Sequence, residues 1–144
     1  MPNLQTLFYP SGETPKPEIN SEALRIYGHM LCPMSQRAFL SFAAKDIPFQ
    51  KCHMDLISKA QWHVDFNGGF VPLLESPDGT MVNDSAIIMN FAAEKEIGKG
   101  LKLWPHEHAP GDIEANMKTA QMRLKMQEFD KLFAKFWGPY MSRF

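Results

Sequence analysis

The stretch Leu24-Arg25-Ile26-Tyr27-Gly28-His29-Met30-Leu31-Cys32-Pro33-Met34-Ser35-Gln36-Arg37 decides how the rest of the chain is read. Leu24 to Gly28 is apolar and β-prone, and reads as a buried strand. From Met34 to Lys45 the apolar residues Ala38, Phe39, Phe42 and Ala43 recur at spacings of three and four, the stripe of one helix. Pro33 suits the first helical position, which makes Cys32 the natural N-cap. Free amides and the helix dipole at such an end favour a thiolate, the reactive form of cysteine. Ser35 stands where a second cysteine would resolve a disulfide locally. A mixed disulfide formed at Cys32 therefore needs an external thiol.

Working outward, Asp46-Ile47-Pro48 ends the first helix, because proline disfavours helix at the residue before it. Phe49 to Met54 reads as a second strand. Asp55 or Ser58 starts a short helix through Trp62 and Phe66, broken at Asn67-Gly68-Gly69. Val71 to Glu75 reads as a third strand, Pro77-Asp78-Gly79 as a hairpin turn and Thr80 to Val82 as a fourth. Asp84-Ser85 caps a helix running to about Ile97. The expected order is β-α-β-α-β-β-α, an α/β domain whose first two strands are parallel.

Residues 1–22 carry Pro10, Pro15 and Pro17 and read as an extended segment outside the core, with ordered structure beginning near Leu24. The α/β domain takes residues 23–98 and a linker residues 99–110. Residues 111–144 form a partial all-helical segment, one long helix from Asp112 to about Trp137. That helix carries two apolar stripes: Ile113, Met117, Ala120 and Leu124, and Met122, Met126, Phe129, Phe133 and Phe136. Two stripes imply burial on two sides, so something outside the helix has to cover them.

Composition narrows the class. The chain has 144 residues, 44% hydrophobic and 22% charged, with a net charge of −1. Those are the proportions of a soluble globular protein, and nothing points to nucleic acid or an anionic membrane as partner. No apolar run reaches the length of a membrane span, and Met1 to Phe8 lacks the features of a secretory signal. Two cysteines make no disulfide framework, which points to a reducing, cytoplasmic location. Cys52 is expected to be buried and outside the chemistry. The five histidines have no metal spacing; His106-x-His108 in the linker is a weak zinc pattern, and no metal is expected.

The remaining candidates each have two readings. Val71-Pro72 is either an edge-strand proline or a cis-proline that leaves the Val71 backbone free to pair with an extended, peptide-like ligand. Asp84 and Ser85 either cap a helix or use its free amides and a hydroxyl to hold a carboxylate, with Asp84 facing an ammonium group. Lys59 is a solvated charge unless the short helix borders the site.

Three motifs at compatible spacings, Leu24 to Tyr27 with Leu31-Cys32-Pro33, Val71 to Glu75, and Asn83 to Ile88, resemble the N-terminal domain of an omega-class glutathione transferase. The Pro-rich lead-in and Leu101-Lys102-Leu103-Trp104-Pro105 also fit, so the resemblance covers about residues 22–137. It implies a thioredoxin-like domain followed by a truncated all-α segment. It implies that Cys32 is the nucleophile, with Pro33 and Met34 as its neighbours. Val71, before a cis Pro72, would pair with the cysteinyl backbone of glutathione. Asp84 and Ser85 would hold the γ-glutamyl end, and Lys59 would sit near the glycine carboxylate. The implied activity is a glutathione-dependent thiol transferase or reductase that removes glutathione from mixed disulfides or reduces dehydroascorbate, in a homodimer. Asp84 stands where the family has Glu, Met34 where it has an aromatic, and only the first helix of the second domain is represented. Residues 32–37 also resemble the chloride intracellular channel relatives. That leaves a second reading, a truncated glutathione-binding or interaction protein without efficient turnover.

Overall fold

The computed structural model describes residues 3–9, 12–94, 97–104 and 111–141. Its elements are β1 (Leu7–Tyr9), β2 (Leu24–Gly28), α1 (Pro33–Ala44), β3 (Phe49–Met54), α2 (Gln61–Asn67), β4 (Leu73–Glu75), β5 (Met81–Asn83), α3 (Ser85–Ala93) and α4 (Ile113–Met141). They fall into two compact units, divided between Leu103 and Trp104. Among the described residues no helix is long and apolar enough to cross a membrane.

The first unit is one mixed sheet in the order β1-β3-β2-β4-β5. β2 and β3 are parallel, as a connection through α1 requires, and β4 and β5 are antiparallel to their neighbours. The β4–β5 hairpin closes with Ser76 N donating to Thr80 O at 2.9 Å and with Gly79 at φ 86°, a left-handed conformation.

Alternation along β2 sends successive side chains into two cores. Ile26 joins Ala38, Phe39, Phe42, Leu74 and Ile88 beneath α1 and α3. Tyr27 joins Cys52, Met54, Ala60 and Leu73 on the other face, with Trp62 of α2 packed edge-on against the Tyr27 ring. A polar cluster is buried with them. Arg25 Nη1 and the Tyr27 hydroxyl both donate to Glu75 Oε2, at 3.0 and 2.8 Å, while Arg25 Nε donates to Gln50 Oε1 at 2.8 Å. Lys16 pairs with the other Glu75 oxygen.

Five boundaries differ from the sequence reading, one being the end of α4, at Met141 rather than near Trp137. Order begins before Leu24: Leu7, Phe8 and Tyr9 pair in parallel with Cys52, His53 and Met54, extending the sheet beyond β3. Gln50 Nε2 also donates to Gln5 O, so this segment is held by side chains as well as by the ladder. α2 starts at Gln61, because Asp55 makes a local turn instead, its Oδ1 accepting from Ile57 N and Ser58 N. β4 begins only after Pro72. α3 ends at Ala93 rather than near Ile97, since Glu94 is already extended at φ −56°, ψ 137°.

The turn after α3 has a structural task. Gly100 N and Leu101 N donate to Lys45 O and Ala44 O, at 2.9 and 2.6 Å, satisfying carbonyls that the end of α1 leaves without helical partners. Gly98 has φ 77°, and a Cβ there would fall 2.1 Å from the Lys45 carbonyl oxygen. In the second unit α4 runs for 29 residues, about 44 Å at the helical rise. Asp112 Oδ1 accepts from Ala115 N at its start. Ile113, Met117 and Leu124 of the first stripe, and Phe129 and Phe136 of the second, are exposed. The His106-x-His108 pattern lies outside the described residues.

Candidate functional site

The site starts from the end of β2. Cys32 is the N-cap of α1 at φ −89°, ψ 115°, and its carbonyl accepts from Gln36 N at 2.9 Å. Its side chain makes no capping bond, so the half-buried thiol is not spent on the helix. The loop before it is tied down. Cys32 N donates to His29 O and Leu31 N donates to His29 Nδ1, both at 3.1 Å. His29 N donates to Ser35 Oγ at 3.1 Å, and Gln36 Nε2 donates to Met30 O at 2.7 Å. Ser35, fully buried, therefore anchors the loop that carries the thiol. Gly28 permits the close approach of α1, since a Cβ there would lie 2.7 Å from the Phe39 ring and 3.0 Å from Ser35.

The Val71–Pro72 peptide is cis. Pro72 is buried and Val71 half-buried against the Tyr27 core. β4 pairs antiparallel with β2, Leu73 opposite Tyr27. Extending that register sets Val71 level with His29, three residues before Cys32. Among the described residues the Val71 amide and carbonyl make no backbone hydrogen bond. The loop leading into Val71 is well held: Asn67 Nδ2 and the ring of His63 both donate to Phe70 O, at 2.9 and 2.8 Å. Burial, with Lys59 nearby, keeps His63 below the usual imidazole range, hence neutral, so its Nε2 carries the donated hydrogen.

Lys59 borders this loop. Its ammonium sits 5.3 Å from the centre of the Phe70 ring, and its stem lies across Gly69, where a Cβ would meet it at 2.5 Å. Asp84 is the N-cap of α3 at φ 78°, with Oδ1 accepting from Ala86 N and Ile87 N at 2.8 and 3.2 Å. Ser85 is buried; its hydroxyl accepts from Arg37 Nη1 at 3.2 Å and lies 3.3 Å from Met34 Sδ. The starts of α1 and α3 thus meet through Met34, Arg37 and Ser85.

Cys52 is fully buried on the far side of the sheet, and burial pushes its thiol up to about 12. Among the described residues no group of three or more His, Cys, Asp or Glu side chains is arranged to hold a metal ion. Sequence reasoning missed His29, Ser35 and Arg37. The signal for Ser35 was present, a hydroxyl on the first turn of a helix that follows a glycine-ended strand. Arg37 carries no local pattern, because its Ser85 partner comes from tertiary packing, and the loop contacts of His29, all within six residues, follow no motif. Together these elements offer an unspent thiol, a short run of unpaired extended backbone, a helix start with a hydroxyl, and a lysine. That set suits an extended, peptide-like molecule carrying a sulfur and charged ends.

Residues 31–95 match the family described as "Glutathione S-transferase, N-terminal domain". The chain is 33% identical over 91 residues to glutathione S-transferase omega-1 of Sus scrofa, covering 62% of this chain and 38% of that protein. It is 35% identical over 75 residues to glutathione S-transferase DHAR2 of Arabidopsis thaliana, covering 51% and 35%. Among solved structures, glutathione transferase Omega 3C from Trametes versicolor superposes with a TM-score of 0.55 at 27% identity, over 78% of this chain and 42% of that one. The chain thus spans less than half the length of these relatives.

Proposed function

We propose, for a chain whose residues 31–95 form a glutathione S-transferase N-terminal domain and which is of the omega class, a glutathione-dependent thiol transfer at Cys32. In this reading the Cys32 thiolate attacks the glutathione sulfur of a mixed disulfide. The partner thiol leaves and takes up a proton, and glutathione stays bound to Cys32 as a disulfide. A second glutathione thiolate then attacks that bound glutathione sulfur, releasing glutathione disulfide and the Cys32 thiolate. Reduction of dehydroascorbate runs through the same thiol, with two glutathiones supplying the two electrons.

The observation that carries the reading is an unspent N-cap thiol at Cys32 together with unpaired Val71 backbone, which the β2–β4 register sets opposite His29, three residues before that thiol. Val71 would pair with the cysteinyl backbone of glutathione beside Pro72. Ser85 and the start of α3 would receive the γ-glutamyl carboxylate, Asp84 its ammonium, and Lys59 the glycine carboxylate. The test is turnover of glutathionylated 2-mercaptoethanol and of dehydroascorbate by wild type and by Cys32→Ala. Loss of turnover in Cys32→Ala with glutathione binding retained is expected. Turnover that survives the substitution refutes the mechanism.

A second reading has its own observation. α4 leaves Phe129, Leu132 and Phe136 exposed, and large apolar faces of that kind mark interaction surfaces. A glutathione-binding interaction protein that forms a homodimer through α4 would bury them. Sedimentation gives the outcome: a dimer is expected, and a stable monomer rejects this assembly. The free state of both cysteines supports a reducing, cytoplasmic setting.

A further inference from the structure

Lys59 lies on a stretch without regular structure between β3 and α2, and the course of that stretch is fixed from outside it. Gly12, in the N-terminal segment, brackets the lysine. Gly12 N donates to Ser58 Oγ at 3.1 Å, and Gly12 O accepts from Gln61 N at 2.9 Å. A Cβ on Gly12 would lie 3.0 Å from Lys59 O, so the two main chains touch between those anchors.

The N-terminal segment is itself fastened along its length. β1 joins it to β3. Lys16 pairs with Glu75 of β4, and Ile19 lies against the β4–β5 turn, its Cδ1 2.8 Å from where a Cβ on Gly79 would stand. Asn20 Nδ2 donates to Asn3 O at 2.8 Å and to Gln50 Oε1 at 3.2 Å, which ties the end of the segment to its start and to β3. Residues 3–9 and 12–22 thus make a strap over the face of the sheet that carries Tyr27 and Cys52, with Gly12 pressed on the Lys59 stretch. Beyond that contact the Lys59 stem runs over Gly69, and its ammonium sits 5.3 Å from the centre of the Phe70 ring. Lysine has more rotamer freedom to lose than most residues, and an ordered main chain beneath it lowers what a ligand must still order on binding.

We propose that the N-terminal strap is a positioning element for Lys59: Gly12 and Ser58 set that lysine for a carboxylate and thereby govern affinity for the glycine end of glutathione. The proposal rests on the reading in which Lys59 receives that carboxylate, and it names what controls it. Gly12 and Ser58 act through Lys59 and touch no ligand. A general loosening of the domain would weaken every ligand alike, whereas loss of the strap contact is confined to the carboxylate that Lys59 meets.

Calorimetric binding of glutathione and of its glycine ethyl ester, in which that carboxylate is neutral, tests this on the full chain. Lys59→Met should weaken glutathione about tenfold, through loss of one charge-assisted bond, and leave the ester unchanged. Ser58→Ala, at an exposed position, should weaken glutathione about threefold, through loss of one neutral bond that acts at a remove, and also leave the ester unchanged. Ser58→Thr keeps the hydroxyl and should keep wild-type affinity. Gly12→Ala crowds Lys59 O and should act in the same direction as Ser58→Ala. The double variant Ser58→Ala/Lys59→Met should bind glutathione no more weakly than Lys59→Met alone, because the first change acts through the second residue. Equal glutathione affinity in wild type, Ser58→Ala and Gly12→Ala overturns the proposal alone, and so does an equal loss for glutathione and ester. Unchanged affinity in Lys59→Met, or no binding of glutathione by wild type, removes the carboxylate reading and the proposal with it.

Discussion

The Ser85 hydroxyl lies 3.3 Å from the sulfur of Met34, two residues after Cys32, and the same oxygen accepts from Arg37 at 3.2 Å. The start of α3 is thereby fastened to the first turns of α1, and a ligand held at one helix start is positioned against the other. Ser85→Ala is expected to cost about 1 kcal/mol of stability and to raise the KM for glutathione severalfold. Steady-state kinetics at varied glutathione check this, and an unchanged KM would count against a binding role for Ser85.

Asp84 caps α3 and, in the proposed function, meets an ammonium group. Its two roles separate in two substitutions. Asp84→Asn keeps an oxygen for Ala86 N and Ile87 N, so stability should hold while glutathione affinity drops. Asp84→Ala loses the cap as well, at about 1 kcal/mol. Equal glutathione affinity in wild type and Asp84→Asn, by calorimetry, would leave Asp84 a cap and nothing more.

Arg25 and Glu75 are 4% and 1% exposed and joined at 3.0 Å. Removing one partner strands a charge in the core, so Arg25→Met should cost about 3–5 kcal/mol. Lys16, at the partly exposed end of the cluster, should cost about 1 kcal/mol or less when changed to Met. Urea midpoints order the two, and a smaller loss for Arg25→Met than for Lys16→Met would contradict this account.

Burial raises the Cys52 thiol to about 12 and holds the Tyr27 hydroxyl well above its ordinary range. Above pH ~8.5 the unfolded chain releases protons that the folded chain keeps. Stability is therefore whole below that pH and declines as pH rises towards 12, by up to about 1.4 kcal/mol per pH unit for each group. Urea unfolding at pH 8 and pH 10 measures the decline. Cys52→Ala should remove part of it, and an unchanged slope would exclude Cys52 as a source.

Much of this was written in local patterns. The Leu24–Arg37 stretch carries its strand, its helix and its N-cap thiol in the spacing of a few residues, and the structure keeps all three. β1 was not legible, because three residues between polar and Pro-rich flanks give no alternation to count. What makes them a strand is the open edge of β3, supplied from elsewhere in the chain. The end of α3 was misplaced for a similar reason. Ile97 falls four residues after Ala93, at helical spacing, but the chain turns at Glu94 so that Gly100 and Leu101 can reach the last carbonyls of α1. The cap positions of Cys32 and Asp84 were legible; the link from Arg37 to Ser85, 48 residues on, was not.

β1 has a consequence for how the molecule opens. It is an edge strand of three residues, joined to the sheet through β3 alone, and its Phe8 ring is largely in solvent. Short, thinly buried edges detach at low free energy while the rest of a domain stays folded. Release of β1 would uncover the backbone of Cys52, His53 and Met54 on β3 yet leave the thiol, Val71 and Ser85 in place. Opening of the sheet edge and motion at the Cys32 loop would then be separate fluctuations of the same domain, and amide exchange at Leu7 and Phe8 would report on the first without touching the second.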